Sequence, residues 1–375
     1  MYYTVRKTTD EEFKAGMPYV TSSMIEAVNT CPRWGIIHNV LNKHFNSGYR
    51  QMALEAGSLM HEIFSILNLV QVGHKQGYEE HMHYHAAQLL TKERWEFVYK
   101  EATTKSPIEL NDTNSLERLV YLAIASSGYE DNPEDKNRTI ANLEHCSLEL
   151  IDYYLRNLIE FPIYISDTET PSSPIGIEMS LDAVFEVQVG EHQADDSTGT
   201  SFYDDTFKLR CIGLADVVYQ NTTTGKISLG EYKTAASMND AWRESFRTRH
   251  QITLYNALLQ AYFDYQESFN TILIGSSIPV RKTSLPVQHF AIDRDQQNIQ
   301  DLLETFMFTS ENIKRFIQSP EKAPMFTHSC NRYFRPCSLL DFCTSAKEDQ
   351  KVILEEMESI QSRSPSEMKA MLRNI

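Results

Sequence analysis

The sequence predicts an α/β fold in which a mixed central sheet is flanked by helices. Three observations lead to this prediction. Apolar residues have helical spacing over a long first part of the 375-residue chain, short β-rich runs follow, and helical spacing then returns. The order of helices, three strands, helix and strand fits an α/β core with a large helical elaboration on its N-terminal side.

Composition limits the partners that the chain can have. Lysine and arginine number 35 against 51 aspartates and glutamates, which gives a net charge of −16. An acidic surface does not attract a polyanion, so any binding of DNA requires a local basic track. Neither a signal peptide nor a membrane span is recognisable in the sequence. We therefore expect a cytoplasmic protein, bacterial or phage-encoded, without a membrane partner.

The first elements are predicted to be helices. A capping-box pattern at Ser23 and Glu26 begins a short helix, which Cys31 and Pro32 end. Residues 51–72 are apolar nearly all round the helical wheel, so this helix should be buried together with His61. More helical pattern covers residues 75–160, and its polar interruption at 128–138 indicates a loop.

After residue 160 the pattern changes to β-rich runs, "FPIYIS", "IGIEMSLDAVFEV", "FKLRCIGLADVVYQ" and "KISLGEYKT", with an acidic loop at 190–205. Helical spacing returns over 240–265, followed by strands at "TILIGSS" and "VQHFAID" and a helix over 295–318. A cysteine-bearing loop and a charged helix from about residue 345 complete the chain. We predict one compact unit with four parts: N-terminal helices 1–72, a helical insertion 73–160, the core 161–320 and a C-terminal region 321–375.

The turn sequence "NTTTGK" at 221–226 joins two of these strands into a predicted β-hairpin over 208–233. If the hairpin is symmetric about this turn, paired residue numbers sum to 447, which sets Asp216 opposite Glu231. Lys233 shares the face of Glu231 because side chains alternate with a period of two. The three side chains should therefore converge on one patch.

Two carboxylates in such a patch repel each other unless a cation or a proton lies between them. A hard divalent ion, Mg²⁺ or Mn²⁺, suits carboxylate oxygens and waters. Lys233 cannot bind the ion while protonated, but it can stabilise a developing negative charge or orient a metal-bound water. The alternative is an ordinary ion pair of Glu231 and Lys233 on an exposed strand, with Asp216 ending the strand before it.

"CIGLADVVYQ" followed by "ISLGEYKTAA" resembles the Gly-x-x-Asp and Glu-x-Lys elements of the PD-(D/E)XK nuclease superfamily, in its RecB-like branch. The resemblance implies a restriction-endonuclease-like core and a metal site of His61, from "GSLMHEIF", with Asp216 and Glu231. Tyr232 would reach the ion only through its backbone carbonyl. For Glu178, on the preceding strand, a position at the strand edge is preferred over a place among the ligands.

Downstream, "HQITLYNALL" supplies the Gln-x-x-x-Tyr element of the same branch through Gln251 and Tyr255. Arg243 and Arg247 precede them at the same spacing of four, so all four residues are predicted to lie on one row of a helix. Guanidinium, amide and phenol groups suit phosphate contacts and stacking, and this row is our candidate DNA-binding track. The alternative is a solvated helix face.

Three cysteines, Cys330, Cys337 and Cys343, lie close together near the C-terminus, and Cys31 is the candidate for a fourth ligand. One N-terminal and three C-terminal cysteines resemble the iron-sulfur cluster of AddB-type and CRISPR-associated RecB-like nucleases. This resemblance implies a [4Fe-4S] cluster with a structural role, and Zn²⁺ is the alternative. The first pair of the three is separated by six residues, whereas the family pattern has two.

Four histidines at 74, 81, 83 and 85 lie in the insertion, where His81 and His85 share a helix face. No carboxylate or cysteine pattern completes a metal site there, so we predict a solvated helix.

The sequence therefore predicts a metal-dependent DNA nuclease. The resemblance implies cleavage that leaves a 5′-phosphate and a 3′-hydroxyl, with exonuclease action on DNA ends or single strands in recombination, repair or phage DNA processing. Two alternatives remain. One is a catalytically inactive DNA-binding or recombination accessory protein, and the other is a zinc-bound interaction protein whose insertion binds a protein partner.

Overall fold

The computed structural model describes residues 2–44, 52–104, 106–110, 112–189, 193–195, 200–202, 205–263, 270–278, 286–326, 330–332 and 335–359. The helices are α1 (Asp10–Lys14), α2 (Ser22–Thr30), α3 (Pro32–Gly35), α4 (Met52–Val70), α5 (Glu79–Leu90), α6 (Lys92–Thr103), α7 (Thr113–Ala125), α8 (Ile140–Asn157), α9 (Asp240–Ser245), α10 (His250–Phe263), α11 (Gln296–Phe316), α12 (Leu340–Thr344) and α13 (Lys347–Glu356). π-Helical turns, Ile36–Val40 and Gln71–Lys75, extend α3 and α4.

The strands are β1 (Tyr2–Lys7), β2 (Tyr19–Val20), β3 (Lys43–His44), β4 (Ile177–Val189), β5 (Gln193–Asp195), β6 (Thr200–Phe202), β7 (Asp205–Gln220), β8 (Ile227–Ala235), β9 (Asn270–Ser277), β10 (Val287–Ile292), β11 (Asn331–Arg332), β12 (Arg335–Pro336) and β13 (Glu358–Ser359). A seven-stranded sheet has the order β1-β4-β7-β8-β9-β10, with β2 paired to β7. The β8–β9 and β2–β7 pairs are parallel. This mixed sheet confirms the predicted α/β class, although β1 and β2 were not predicted.

Helices cover both faces of the sheet and form two hydrophobic layers. The insertion-side layer joins α4 to α8 with sheet residues such as Val217 and Tyr232. The α10-side layer joins α10 and α11 with sheet residues such as Val218 and Leu229. Because both faces are covered, the strands bury apolar side chains on both sides, which is the main source of their stability.

The hairpin of β7 and β8 has the predicted register. Val217 pairs with Gly230, so paired residue numbers sum to 447. The loop is closed by the backbone amide of Asn221, which donates to the carbonyl of Lys226 at 2.8 Å. The ladder of β7 and β8 ends at the Val217–Gly230 pair, and beyond this point the two strands no longer share backbone hydrogen bonds in the ladder.

Strand β4 changes face at Glu178. Its backbone has a φ of +47°, in the left-handed region that glutamate rarely adopts. Residues two apart in a regular strand face the same side. Here Ile177 faces the insertion-side layer, whereas Met179 faces the α10-side layer.

Strand β7 makes the same change at Asp216. Ala215 faces the α10-side layer and Val217 faces the insertion-side layer. The ladder between β4 and β7 includes the pairs on either side of this point but omits Glu178 and Asp216 themselves. Two carboxylates therefore lie opposite each other at the one irregular rung of this strand pair.

The helix predicted over 240–265 is two helices, α9 and α10. Phe246, which follows α9, is buried against the α10 side of β9, and its carbonyl accepts hydrogen bonds from Nη2 of Arg294 at 2.9 Å and from the amide of Arg249 at 3.4 Å. These bonds turn the chain before α10 begins. The continuous row predicted for Arg243, Arg247, Gln251 and Tyr255 is therefore wrong.

Three smaller predictions also need correction. The segment 161–166 is not a regular strand, since only Ile163 and Ile165 form isolated bridges. The acidic segment 190–205 includes the short β5–β6 pair among its described residues. The first long helix is capped by Thr21, whose side chain accepts from the amide of Met24 at 3.2 Å. A hydroxyl one position outside the helix is sufficient for this cap.

The helical insertion is fixed to α4 by a partly buried ion pair. Arg94 of α6 binds both oxygens of Glu62 on α4, at 2.7 and 2.6 Å. Its guanidinium also donates to the carbonyl of Ala123 at 2.7 Å and to the hydroxyl of Ser126 at 3.0 Å. Glu62 is the neighbour of His61, so these bonds fix the insertion next to the predicted site. Among the described helices, none has both the length and the apolarity needed to cross a bilayer.

Candidate functional site

A cleft of about 1340 Å³ lies between the N-terminal half of α4, the insertion and the sheet. The side chain of His61 is 27% exposed to this cleft. The prediction that His61 is buried is therefore wrong, because the first half of α4 forms a wall of the cleft and not part of the core. Five predicted site residues line the cleft: His61, Asp216, Lys233, Gln251 and Tyr255. Glu178, for which a position at the strand edge was preferred, lines it as well.

Three potential metal ligands meet at the irregular rung of the sheet. One ligand atom each of His61, Glu178 and Asp216 lies within 4.8 Å of the other two, and Nδ1 of His61 lies 3.5 Å from Oδ1 of Asp216. Ser65, one turn after His61 on α4, donates to Oε1 of Glu178 at 3.1 Å. Glu178 is thus at the site and not merely at a strand edge. Its left-handed backbone, which the sequence does not reveal, directs it there.

Asp216 bridges the gap left where the ladder of β7 and β8 ends. Its Oδ2 accepts from the backbone amide of Tyr232 at 2.7 Å, while its other oxygen faces His61. Burial disfavours its charge, but His61, Lys233 and this amide outweigh burial and lower the pKa of Asp216. Asp216 in turn acts on the imidazole of His61. Burial opposes the positive charge of the imidazole, but Asp216 outweighs burial and raises the pKa of His61.

Glu231 and Lys233 form an ion pair on the same face of β8, as predicted, with Nζ of Lys233 2.5 Å from Oε1 of Glu231. The side chain of Glu231 is completely buried, and its Oε2 has no hydrogen-bond partner among the described residues. Burial, and then the charge of Asp216, raise the pKa of Glu231 to about 7. Burial works against the ammonium, but Glu231 and Asp216 outweigh it and raise the pKa of Lys233.

Glu231 is therefore a completely buried carboxyl group whose ionised form is not fully compensated by its surroundings. It is not a member of the mutually close trio of His61, Glu178 and Asp216 in the described chain. Buried charges are normally paired or coordinated to a metal. We define the carboxylate site as His61, Glu178, Asp216, Glu231 and Lys233. A further positive charge, such as a metal ion, would be stabilised in this site.

Tyr232 points away from this ion pair, as predicted. Its ring stacks on Phe64 of α4 at 4.8 Å between centroids and meets His61 edge-on at 5.1 Å. Both contacts fix the orientation of α4 against the sheet, so Tyr232 helps to position His61. The role predicted for its backbone carbonyl as a metal ligand stays a prediction.

Gln251 and Tyr255 meet the site from the first turns of α10. Nε2 of Gln251 donates to Oη of Tyr255 at 3.0 Å. The tyrosine ring packs on Gly213 of β7, where a Cβ atom would lie only 2.5 Å from the ring. Burial, and then the charge of Glu231, raise the pKa of Tyr255. Its phenol therefore stays protonated and can donate a hydrogen bond into the cleft.

Arg243 and Arg247 lie outside the cleft. Arg243 packs over Phe290 of β10, with its guanidinium 4.8 Å from the ring centroid, and lies 3.4 Å from Asp240. Arg247 is an exposed residue of the turn before α10, 3.5 Å from Glu244. The break between α9 and α10 separates both from Gln251. Of the predicted DNA-binding track, only Gln251 and Tyr255 line the cleft, and neither of them is basic.

The four predicted cluster cysteines occupy one neighbourhood. Cys31 lies between α2 and α3, and the amide of Cys337 donates to the carbonyl of Cys330 at 2.7 Å. Burial raises the pKa of Cys337, and the thiols of Cys31 and Cys330 act in the same direction. Burial likewise raises the pKa of Cys343, and Arg33 opposes the shift. The N- and C-terminal segments thus bring these thiols together.

This cysteine corner, defined as Cys31, Cys330, Cys337 and Cys343, has only a small core. Ile37 of the N-terminal segment packs with Leu339 and Phe342 of the C-terminal one. Among the described residues, no three cysteine sulfurs lie within 4.8 Å of one another. The other two cysteines, Cys146 and Cys211, are buried in the main layers.

Two of the insertion histidines, His81 and His85, are structural, whereas His74 is exposed. His81 is almost fully buried, and its Nε2 lies 2.9 Å from the carbonyl of Asp167. Nε2 of His85 lies 2.9 Å from the carbonyl of Ser173. These two bonds attach α5 to the loop between α8 and β4, which explains why they share a helix face.

No protein-family model and no curated protein sequence match this chain. Solved structures that are similar in shape include the following two. The crystal structure of SSO0001 is 15% identical with a TM-score of 0.25, over 45% of this chain and 59% of that one. A crystal structure of a candidate exonuclease from Eubacterium rectale is 12% identical with a TM-score of 0.37, over 91% of this chain and 99% of that one. Both TM-scores are below 0.5.

Proposed function

We propose that this protein is a metal-dependent nuclease that hydrolyses phosphodiester bonds in DNA. The observation that carries the proposal is the carboxylate site: a histidine and two carboxylates within 4.8 Å of one another, beside a buried Glu231–Lys233 pair. The resemblance of the Gly-x-x-Asp and Glu-x-Lys elements supports the same chemistry.

The donor set fits a divalent ion. His61, Glu178 and Asp216 offer one nitrogen and two carboxylate oxygens, a mixture that Mn²⁺ and Mg²⁺ accept. Glu231 adds a buried carboxyl group whose Oε2 has no hydrogen-bond partner among the described residues. His61, Asp216 and Glu231 were the predicted ligands, and the geometry supports adding Glu178. An ordinary surface ion pair does not explain this arrangement, because exposed pairs do not bury a carboxylate completely.

A bound ion would polarise the scissile phosphate and supply hydroxide at neutral pH. Lys233 keeps its proton, because two carboxylates stabilise its charge, and the ammonium faces the cleft from β8. It is therefore suited to stabilise the negative charge that develops on the phosphate. Tyr255 and Gln251 are suited to donate hydrogen bonds to a phosphate or sugar oxygen beside it. The resemblance implies products with a 5′-phosphate and exonuclease action.

The test is incubation of the purified chain with end-labelled single- and double-stranded DNA in Mn²⁺, in Mg²⁺ and in EDTA. We expect degradation only with the metal. Titration calorimetry of Mn²⁺ into the chain and into its Asp216→Asn variant tests the site without relying on activity, and the variant should bind at least about tenfold more weakly. Metal binding without cleavage would favour the inactive DNA-binding alternative. Failure to bind Mn²⁺ would overturn the proposal.

We also propose that the cysteine corner holds a [4Fe-4S] cluster. Cys31 comes from the N-terminal part of the chain and the other three thiols from the C-terminal part, and electrostatic interactions connect Cys31 with Cys337 and Cys343. Four cysteine thiolates are the usual ligands of a [4Fe-4S] cluster. The amide of Leu339, which donates to Sγ of Cys337 at 3.5 Å, and Arg33 beside Cys343 suit negatively charged sulfur.

Anaerobic purification with an absorption spectrum and assays of iron, sulfide and zinc tests this second proposal. Brown protein with broad absorbance and about four irons per chain is expected. Stoichiometric zinc in colourless protein would overturn it and favour the zinc alternative.

A further inference from the structure

One wall of the cleft belongs to the helical insertion, which the proposed chemistry does not use. Tyr84 of α5 and Tyr129, after α7, line the same cleft as Asp216. We propose that these two tyrosines stack on unpaired bases of the DNA substrate, so that the insertion determines which DNA enters the site. This inference rests on the proposed nuclease function and deepens it.

The charge of the cleft argues for stacking. The lysines that line it are Lys7 and Lys233, and Lys233 is already paired with Glu231. The carboxylates that line it are Glu55, Glu62, Glu178 and Asp216. Duplex DNA carries one negative charge per roughly 1.7 Å of its axis, and a site that neutralises it needs several lysines or arginines. This cleft lacks them among its described residues, whereas a stacked base contacts an aromatic ring through its π-face and not through its phosphate.

Both rings are held in place before any ligand binds. Oη of Tyr129 donates to the carbonyl of Arg138 at 2.6 Å. Tyr84 packs edge-on against His85 at 5.2 Å between centroids, and His85 is itself attached to the carbonyl of Ser173 at 2.9 Å. Rings that are already ordered lose little conformational entropy when a base stacks on them.

The insertion is also fixed relative to the carboxylate site. The bidentate pair of Arg94 and Glu62 connects α6 to α4 one residue from His61. Partly buried contacts therefore set the position of the insertion relative to the carboxylate site. Bases stacked on the tyrosines would present their backbone towards His61 and Asp216.

The experiment measures fluorescence anisotropy of a 5′-labelled oligo(dT) of about twelve nucleotides, and of the same oligonucleotide annealed to its complement. The full chain is used in EDTA, so that binding is observed without cleavage, at salt concentrations between about 50 and 200 mM. The variants are Tyr84→Ala, Tyr129→Ala and Tyr84→Phe. Phe97→Ala on α6 is the control, since this ring is 50% exposed on the insertion but does not line the cleft.

We expect each alanine variant at Tyr84 or Tyr129 to weaken binding of the single strand about tenfold. Tyr84→Phe and Phe97→Ala should bind like the unaltered chain, and thermal melting should show that all four variants fold. The slope of log K against log [salt] should be about −1, as expected for one or two phosphate contacts. Unchanged affinity in both alanine variants, tighter binding of the duplex, or a slope steeper than about −4 would each overturn the inference.

Cleavage assays separate this inference from the proposed function. If the chain degrades DNA with Mn²⁺ but the tyrosine variants bind normally, stacking is wrong and the nuclease function stands. If stacking is confirmed and no metal-dependent cleavage occurs, the nuclease function is wrong, and the tyrosines still identify a site for unpaired DNA.

Discussion

The carboxylate site and the cysteine corner both collect side chains from distant parts of the chain, but they hold them differently. Asp216, Glu231 and Lys233 lie on two strands whose register is fixed by a hairpin, and a buried helix brings His61 to them. The cysteines lie on short helices and loops around a core of only a few side chains. The first site is therefore preorganised before an ion binds, whereas the second depends on its ligand for stability.

The largest expected effect separates catalysis from folding at the preorganised site. Lys233→Gln should lower the rate of DNA cleavage by about 10²- to 10³-fold, because the charge that stabilises the transition state is lost. The fold should survive, since the pKa of Glu231 is already about 7 and the carboxylate can take up a proton when the ammonium is removed. Cleavage kinetics and thermal melting measure the two outcomes.

Lys226→Ala, in the exposed hairpin turn, is the matched control for the loss of a lysine and should cleave normally. Full activity in Lys233→Gln would contradict the role given to this residue.

The next effect should appear at the cysteine corner and should have the opposite character. Cys337→Ser removes one ligand, so iron content should fall strongly and the thermal midpoint should drop by at least about 5 °C. Metal analysis and calorimetry are the measurements. Cys146→Ala, in the core of the insertion-side layer, should keep its iron. A variant at Cys337 that melts like the unaltered chain would remove the proposed contrast between the two regions.

A smaller effect tests how the preorganised site is strained. Glycine adopts a φ of +47° freely, whereas a residue with a Cβ atom is destabilised there by about 1–2 kcal/mol. Glu178→Gly should therefore have a free energy of unfolding about 1 kcal/mol higher than Glu178→Ala, with denaturant melts as the measurement. Both variants lack the carboxylate, so the difference between their free energies of unfolding reports the backbone strain at this position. An alanine variant as stable as the glycine one would show that this position is unstrained.

The smallest effect provides a surface reference for the buried pairs. Arg6 binds Glu12 at 2.6 Å near the N-terminus, and this hydrogen bond lowers the pKa of Glu12 to about 2. The depressed pKa means that the stabilisation is complete above about pH 4.5 and is lost as the pH falls through about 2.

The free energy of unfolding of the unaltered chain should exceed that of Glu12→Gln by roughly 0.5 kcal/mol at neutral pH. The difference is small because the pair is partly exposed and screened by solvent. This difference should vanish in acid, as measured by denaturant melts at both pH values. A difference that stays undiminished as the pH falls through about 2 would indicate that the pair does not titrate as described.

Much of the fold and of the carboxylate site could be predicted because local rules decide it. The turn "NTTTGK" fixes the register of β7 and β8, and the register fixes which side chains meet. The place of Glu178 could not be predicted in this way. Apolar residues continue at every second position of β4 on both sides of Glu178, since both faces of the sheet are covered, so the change of face leaves no mark in the pattern.

The arginine row failed for a different physical reason. Spacing of four residues predicts one helix face only while the helix continues. A long-range contact, the bond from Arg294 to the carbonyl of Phe246, ends the regular geometry between Arg243 and Gln251. Phe246 lies 48 positions before Arg294, and no local pattern reports such a bond.

The change of face at the irregular rung also has a consequence for how substitutions combine. Ile177 and Met179 are close neighbours in β4, yet one packs with α4 to α8 and the other with α10 and α11. Their contributions to folding free energy should therefore be independent, and the double variant should equal the sum of the singles within about 0.5 kcal/mol. Ile177 and Val217, which are cross-strand partners in one layer, should instead be energetically coupled. In this sheet, two side chains are energetically coupled when they pack in the same layer, and closeness in sequence does not decide it.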